Sequence, residues 1–256
     1  MSQAWELYQQ GQLRSALAAC QADDFADHLL RVELYLFLGE LDSAYSLLAR
    51  EFDNPAWQSA AALYHELIQG EEQRLAIIES DVNPPMEGGT HVGYRLAALR
   101  AVLREGENLV DEIDYADQQT PHLVGHVDGR EFDGLRDSDD LFSSFVEVIE
   151  AGVYRWIGFE QIRRLRLVPT GRALDDLYLA AELTRIAGPM TLVHLPVLYI
   201  GSSLSDQEAV QLGLETDFFA ADGGPMRGIG RRLWLVGDEE LTLPDCRQFD
   251  FKGMIV

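Results

Sequence analysis

The sequence predicts an α+β protein, with a helical region over residues 1–115, an acidic connecting segment over 116–140 and a β-rich domain over 141–256. Three observations carry that prediction. Apolar side chains in the first region recur at helical spacing. The last region repeats runs of β-branched and aromatic residues separated by glycine turns. The stretch between them is dense in Asp, Glu and turn pairs, among them Thr120-Pro121, Asp128-Gly129 and Asp133-Gly134.

In the helical region Trp5, Tyr8, Leu13, Ala16, Leu17 and Cys20 fall on helix-compatible spacings around Gly11. Gly11-Gln12-Leu13-Arg14-Ser15-Ala16 has a glycine, a large apolar residue and an alanine placed to let two antiparallel helices approach at a turn. Gly39-Glu40-Leu41-Asp42-Ser43-Ala44 repeats the pattern, with looser echoes around Gly70 and Gly106. Two readings follow: a tetratricopeptide-like array of stacked helical hairpins, or a non-repeating bundle with glycines at its helix ends. Asn83-Pro84-Pro85 and Gly88-Gly89 interrupt the helices before a long one over about His91–Arg104.

The β-rich domain centres on Phe142–Val168. Phe145, Glu147 and Ile149 share one face of an extended chain, Val146, Val148 and Glu150 the other, and Ala151-Gly152 reverses the chain into Val153–Ile157. Gly158–Ile162 breaks the pattern, after which Leu165 and Leu167 point inward and Arg164 and Arg166 outward. Leu174–Ile186 is apolar and of ambiguous type, and Thr191–Ile200 is extended. Ser205 is placed to cap a short helix, with Glu208 three residues on. Gly223–Gly230 is a glycine-rich loop. Leu233–Val236 pairs through Gly237-Asp238 with Glu240–Leu243. Cys246–Phe251 then mirrors Ile162–Leu167, so hairpin, break and alternating strand occur twice. The two units are related substructures or two unrelated meanders.

With 43 acidic against 20 basic residues the formal charge is −23 at pH 7, which disfavours nucleic acid. No apolar run is long enough to span a membrane, and Met1–Gln10 lacks the pattern of a signal peptide. Cys20 and Cys246 suggest reduced thiols of a cytoplasmic protein. His122, His126 and Asp128 are close enough in sequence to be weighed as metal ligands of a hydrolase, but they sit among turns and lack a rigid ligand-bearing element. The glycine loop lacks the Gly-Lys-Ser/Thr ending of a phosphate loop, and no Gly-x-Ser-x-Gly elbow exists. The residues therefore point to no catalytic group, metal or cofactor.

Gly152-Val153-Tyr154-Arg155-Trp156-Ile157-Gly158-Phe159-Glu160-Gln161-Ile162 resembles the aromatic segment of the ImpE family, also called SciE-type or TagJ, accessory proteins of bacterial type VI secretion. Tyr199–Ser203, Ala209–Gly213 with Glu215-Thr216, and Gly228–Leu233 agree with it in order; Gly158 stands where the family carries proline, and Arg155 where it carries an aromatic. The resemblance implies a non-enzymatic cytoplasmic adaptor that engages the N-terminal helix of the contractile sheath's small subunit and is linked to the AAA+ ATPase that recycles sheaths. A groove for such a helix would draw on aromatic anchors, for which Tyr154, Trp156, Phe159 and Trp234 are the candidates, although each also suits a core position. The alternatives of another class are the metal-dependent hydrolase and a helical scaffold unrelated to secretion.

Overall fold

The structure, a computed structural model, describes residues 2–105, 110–220 and 224–252, so the glycine echo at Gly106 and the loop residue Gly223 lie outside the described residues. Two helical hairpins open the chain: α1 (Gln3–Gln9) with α2 (Leu13–Ala19), and α3 (Phe25–Phe37) with α4 (Leu41–Leu47). Ser2 and Asp24 start α1 and α3, each side chain accepting an amide hydrogen bond from the first turn. Gly11 and Gly39 close the two hairpins at φ 75° and 69°, a left-handed conformation that only glycine adopts without strain. Both turns also press on later residues of the β-rich region. A Cβ on Gly11 would lie 2.9 Å from Leu214 Cδ1, and one on Gly39 2.8 Å from Ser203 Oγ.

The glycine pattern then stops marking turns. Gly70 lies inside the 25-residue helix α5 (Pro55–Glu79), where a Cβ would meet Ile149 at 2.6 Å; here glycine lets the helix lie close on the sheet. A short strand β1 (Met86–Glu87) precedes α6 (Thr90–Arg100), which runs on into a π-turn over Ala101–Glu105, and α7 (Val110–Gln119) completes the helices of this region.

Residues 116–140, expected as a connection, end α7 and then supply strands β2 (Val124–Val127), β3 (Arg130–Asp133) and β4 (Leu135–Asp137). Asp117, Asp128, Glu131 and Asp133 are exposed while Val127, Phe132 and Leu135 point inward, and Asp137 and Asp139 are buried among partners that a linear reading does not show, which is why the stretch reads as polar and irregular. The expected hairpin is β5 (Phe145–Glu150) and β6 (Val153–Gly158), turned by Ala151 and Gly152 at φ 49° and 75°. A 3-10 turn over Phe159–Gln161 leads to β7 (Ile162–Leu167), and β8 (Tyr178–Arg185) resolves the ambiguous segment as strand, followed by β9 (Met190–Pro196). Ser205 does not cap a helix as expected. Its Oγ accepts from Gln207 N at 3.2 Å in a local turn, and the one-turn helix α8 (Glu208–Gln211) begins later without a side-chain cap. Strands β10 (Thr216–Phe219), β11 (Arg227–Gly230), β12 (Leu233–Val236), β13 (Glu239–Thr242) and β14 (Gln248–Lys252) end the described chain.

The main sheet has the order β1-β6-β5-β9-β8-β7-β14-β2-β3, and a smaller one the order β13-β12-β4. Only Gly134, at φ 94°, separates β3 from β4, so the chain turns the corner from one sheet to the other. Strands β7 and β14, the mirrored segments of the sequence, pair antiparallel: Leu165 faces Phe249, Arg164 faces Asp250 and Arg166 faces Gln248. That register is symmetric about the Leu165/Phe249 pair. Moving outward from it, β8, β9, β5, β6 on one side correspond to β2, β3 with β4, β12, β13 on the other. The helices cover one face of the main sheet, burying Phe145 and Ile149 of β5 with Tyr154 and Trp156 of β6. A second core on the far side holds Val146, Val148, Ile157, Leu165, Leu183 and Phe249.

The two hairpin turns give a direct test of the helix–loop contact. Gly39→Ala is expected to destabilise the protein by about 1–3 kcal/mol, and Gly129→Ala, at φ 81° with open space around it, by about 1 kcal/mol. Urea denaturation would show the contact at Ser203 to be irrelevant were the two variants equally stable.

Candidate functional site

Tyr154, Trp156, Phe159 and Trp234 are 1%, 0%, 0% and 2% exposed. Trp156 stacks on Phe145 with ring centroids 4.0 Å apart, and Phe159 meets Trp234 edge-to-face at 5.0 Å. The hairpin that carries the first two is covered by helices on one side and by the second core on the other. All four residues hold those cores, and a partner would find no surface on them.

The sheet face beneath the helices carries a buried ionic cluster. Glu147 sits midway along β5 between Phe145 and Ile149 and is 2% exposed. Arg74 of α5 donates to it through Nε at 2.8 Å and reaches the Leu198 carbonyl through Nη2 at 2.9 Å. Tyr154 and Arg232 contact the same carboxylate, and Trp156 Nε1 donates to Tyr154 Oη at 2.5 Å. Arg232 also binds Asp137 at 2.9 Å and lies over the rings of Phe142 and Tyr199. Asp139, next to Asp137, accepts from Gly228 N at 2.9 Å and Arg227 Nε at 3.2 Å; burial lifts its pKa above the usual carboxylate range even against Arg227. The described part of the glycine-rich loop thus seats a buried aspartate through Arg227 and Gly228.

A second cluster has the outline of a nucleophile with its base. His91 Nδ1 lies 2.8 Å from Ser144 Oγ, and its Nε2 3.1 Å from Glu160. Arg95 Nε donates to the same Ser144 Oγ at 2.8 Å, so the hydroxyl accepts from Arg95 and donates to His91, whose other nitrogen donates to Glu160. Burial raises the Glu160 pKa, but the His91 and Gly89 hydrogen bonds outweigh it and hold the carboxyl below its usual range. Ser144 is 1% exposed. A nucleophile needs a face open to substrate, and this one is closed by the groups that bind it. The arrangement fastens α6 to the β5–β6 hairpin.

His122, His126 and Asp128 are not brought together. His122 pairs with Asp133, His126 lies 3.6 Å from Glu131, and Asp128 accepts from the amides of Arg247 and Gln248 at 2.9 and 2.8 Å. Among the described residues no group of three or more His, Cys, Asp or Glu side chains converges on a metal position. Burial pushes the thiols of Cys20 and Cys246 up to about 12, away from nucleophilic chemistry.

The mainly apolar one among the open clefts of the described residues has a volume of about 470 Å³ and lies between α1 and α3. Its walls are mainly apolar, formed by Trp5 of α1 and Phe25, Ala26, Leu29 and Leu30 of α3, with Ser2, Asp24 and the buried Asp27 also lining it. At its floor Glu33 accepts from Tyr64 Oη at 2.5 Å and from Arg172 Nη2 at 2.7 Å. Burial raises the Glu33 pKa against the opposing pull of Arg172 and Tyr64. Arg172 precedes the 3-10 turn Ala173–Asp176 of the β-rich region, so the cleft is built by both parts of the chain. Its volume falls in the range of sites that take a ligand's side chains. No sequence signal marked these residues, because apolar positions of an exposed groove and of a core have the same helical spacing.

Three comparisons bear on this geometry. Residues 129–250 match the family model described as ImpE protein, so the resemblance carried by the motifs stands over that region. The type VI secretion system accessory component TagJ of Pseudomonas aeruginosa is 30% identical over 132 residues, which cover 52% of this chain and 46% of the relative. The matched stretch therefore spans about half the length of that curated relative. The crystal structure of protein VPA1032 from Vibrio parahaemolyticus superposes with a TM-score of 0.84 over 99% of both chains at 19% identity, which shows a shared fold. Among the described residues no helix is long and apolar enough to cross a membrane.

Two outcomes follow from the buried groups. Glu147→Gln leaves Arg74 and Arg232 together without their shared anion and is expected to cost about 3–5 kcal/mol, against under about 1 kcal/mol for Glu182→Gln, whose partner Arg166 is exposed. Equal losses in chemical denaturation would remove the cluster's structural role. His28, buried against Phe52 and Trp57 with Nε2 3.1 Å from the Leu47 carbonyl, has its pKa lowered by burial. A depressed imidazole leaves stability intact above its unfolded pKa of about 6.5 and removes it as the pH falls below that value. The stability of His28→Gln should thus fall less steeply than that of the parent between about pH 7 and 5, as followed by thermal melts.

Proposed function

We propose, with an ImpE region over residues 129–250 as the premise, that this protein is a non-enzymatic accessory adaptor of a type VI secretion system. In this reading it works in the cytoplasm and holds the N-terminal helix of the contractile sheath's small subunit, bringing the sheath near its recycling AAA+ ATPase. The observation that supports the reading most is the open, mainly apolar cleft at Trp5, Phe25, Leu29 and Leu30. Helical hairpins that leave a groove between them accept an amphipathic helix through anchors at i, i+3, i+4 and i+7. Each leucine or phenylalanine buried there supplies about 1.5–3 kcal/mol, so two or three anchors go towards offsetting the about 4 kcal/mol or more lost on association, and contacts outside the cleft add the rest. The name of the Pseudomonas aeruginosa relative, a secretion accessory component, agrees with this role.

The test is co-purification with the sheath small subunit, carried out with the intact subunit and with one lacking its N-terminal segment. Capture of the intact subunit alone is expected, and Ala26→Arg, which projects a bulky charge into the cleft from an exposed position, should abolish it. Retention after either change would refute the proposed site.

A further inference from the structure

The charges around the cleft say more about its occupant than the apolar walls do. Of the ionisable groups that line it, Asp24, Asp27 and Glu33 are acidic and Arg172 alone is basic. Arg172 is already committed to Glu33 at 2.7 Å, so the floor is locally compensated. Asp27 is buried and accepts from Gln21 N at 2.9 Å. Asp24 differs. It stands exposed at the mouth, with one carboxylate oxygen capping α3 through Asp27 N at 2.9 Å. The neighbouring Asp23 is matched by Arg50 at 2.6 Å, whereas Asp24 makes no salt bridge among the described residues. Beyond the mouth, the chain as a whole carries a formal charge of −23.

We infer that the cleft takes a basic amphipathic helix, one whose apolar stripe enters between Trp5, Phe25, Leu29 and Leu30 while a lysine or arginine beside that stripe meets Asp24. This deepens the adaptor reading by naming the chemistry of the segment it holds. Long basic side chains suit the geometry because their methylene stems cover the apolar rim while the charge reaches the acid at the mouth. The same charge pattern steers encounter, since an acidic surface raises the association rate of a basic segment in a salt-dependent way. A partner helix flanked by acids would meet repulsion at both ranges.

The experiment uses the full chain and two synthetic helical peptides with identical leucines at i, i+3, i+4 and i+7, one flanked by lysine and the other by glutamate. Titration calorimetry is expected to give the lysine peptide at least about tenfold tighter binding at low ionic strength, with the preference shrinking as salt screens the charges. Asp24→Asn keeps a competent helix cap and should reduce that preference several-fold. Ala26→Arg should abolish binding of the lysine peptide and so separates the cleft from diffuse attraction to an acidic surface. Equal affinities, a preference for the glutamate peptide, no binding of either, or binding unchanged by Ala26→Arg would each overturn the inference. The sheath segment distinguishes this outcome from the adaptor reading. Its failure to bind while the lysine peptide succeeds refutes the secretion partner alone, and its Ala26-sensitive binding with peptides of equal affinity refutes the charge preference alone.

Discussion

A carboxylate in the middle of an apolar strand face organises this molecule. Glu147 lies between Phe145 and Ile149 beneath the helices, and an ionised group in that position is tolerable only when cations and donors surround it. Arg74 reaches it from α5, Arg232 from the chain entering β12, and Tyr154 from the adjacent strand. Those three partners come from three separated parts of the sequence, so satisfying one charge fixes how α5 lies along the sheet and how the second β unit meets the first. Burial works against the charge on Arg74, but Glu71 and the nearby tyrosines hold its pKa above the usual value. Such a cluster adds little net stability over a well-packed apolar core, yet it penalises any packing that separates its members.

Much of the β architecture was legible from local chemistry. The alternation of Phe145–Glu150, the Ala151-Gly152 reversal and the inward Leu165 and Leu167 follow from a period of two and from turn residues, which depend on near neighbours alone. The mirrored segments proved to be partner strands because matching patterns about one pair, Leu165 with Phe249, satisfy each other's register. The helical side was harder. A glycine that closes a hairpin, as at Gly39, and a glycine that lets a helix touch a sheet, as at Gly70, look alike in sequence and differ only in what lies behind them. The aromatic residues were misleading for the same reason: Trp156 and Trp234 are large and amphipathic, qualities that suit an interface anchor and a core equally. Glu147 was visible on an apolar face, but its need for Arg74 is a contact across distant sequence that periodicity does not report.

The near-palindromic strand order gives the β-rich region two halves of similar plan and unequal surroundings. On one side β6 has β1 along its edge and α5 against its face; on the other, β13 is the outer strand of the small sheet. The long helix α5 therefore lies on the first half, against β5 and β6. That asymmetry rests on side chains of the first half, chiefly Glu147 with Arg74 and the Ser144–His91–Glu160 connection.

The hairpins of α1 to α4 cannot hold a cleft by themselves. Helices α1, α2 and α4 have seven residues each, below the length at which an isolated helix persists in water. They are kept in place from behind, by Leu214 under Gly11, Ser203 under Gly39, Glu208 and Gln211 on Arg14, and Arg172 on Glu33. All of these clamps come from the β-rich region. The helical region and the β-rich region are thus not independent: the strands and their loops preorganise the helical groove. Preorganisation matters for an adaptor because ordering short helices at the moment of binding would consume the energy that a few apolar anchors supply. The motifs Tyr199–Ser203 and Ala209–Gly213 acquire a physical reason in the same way, since Ser203 lies under the Gly39 turn and Gln211 holds Arg14 of the first hairpin.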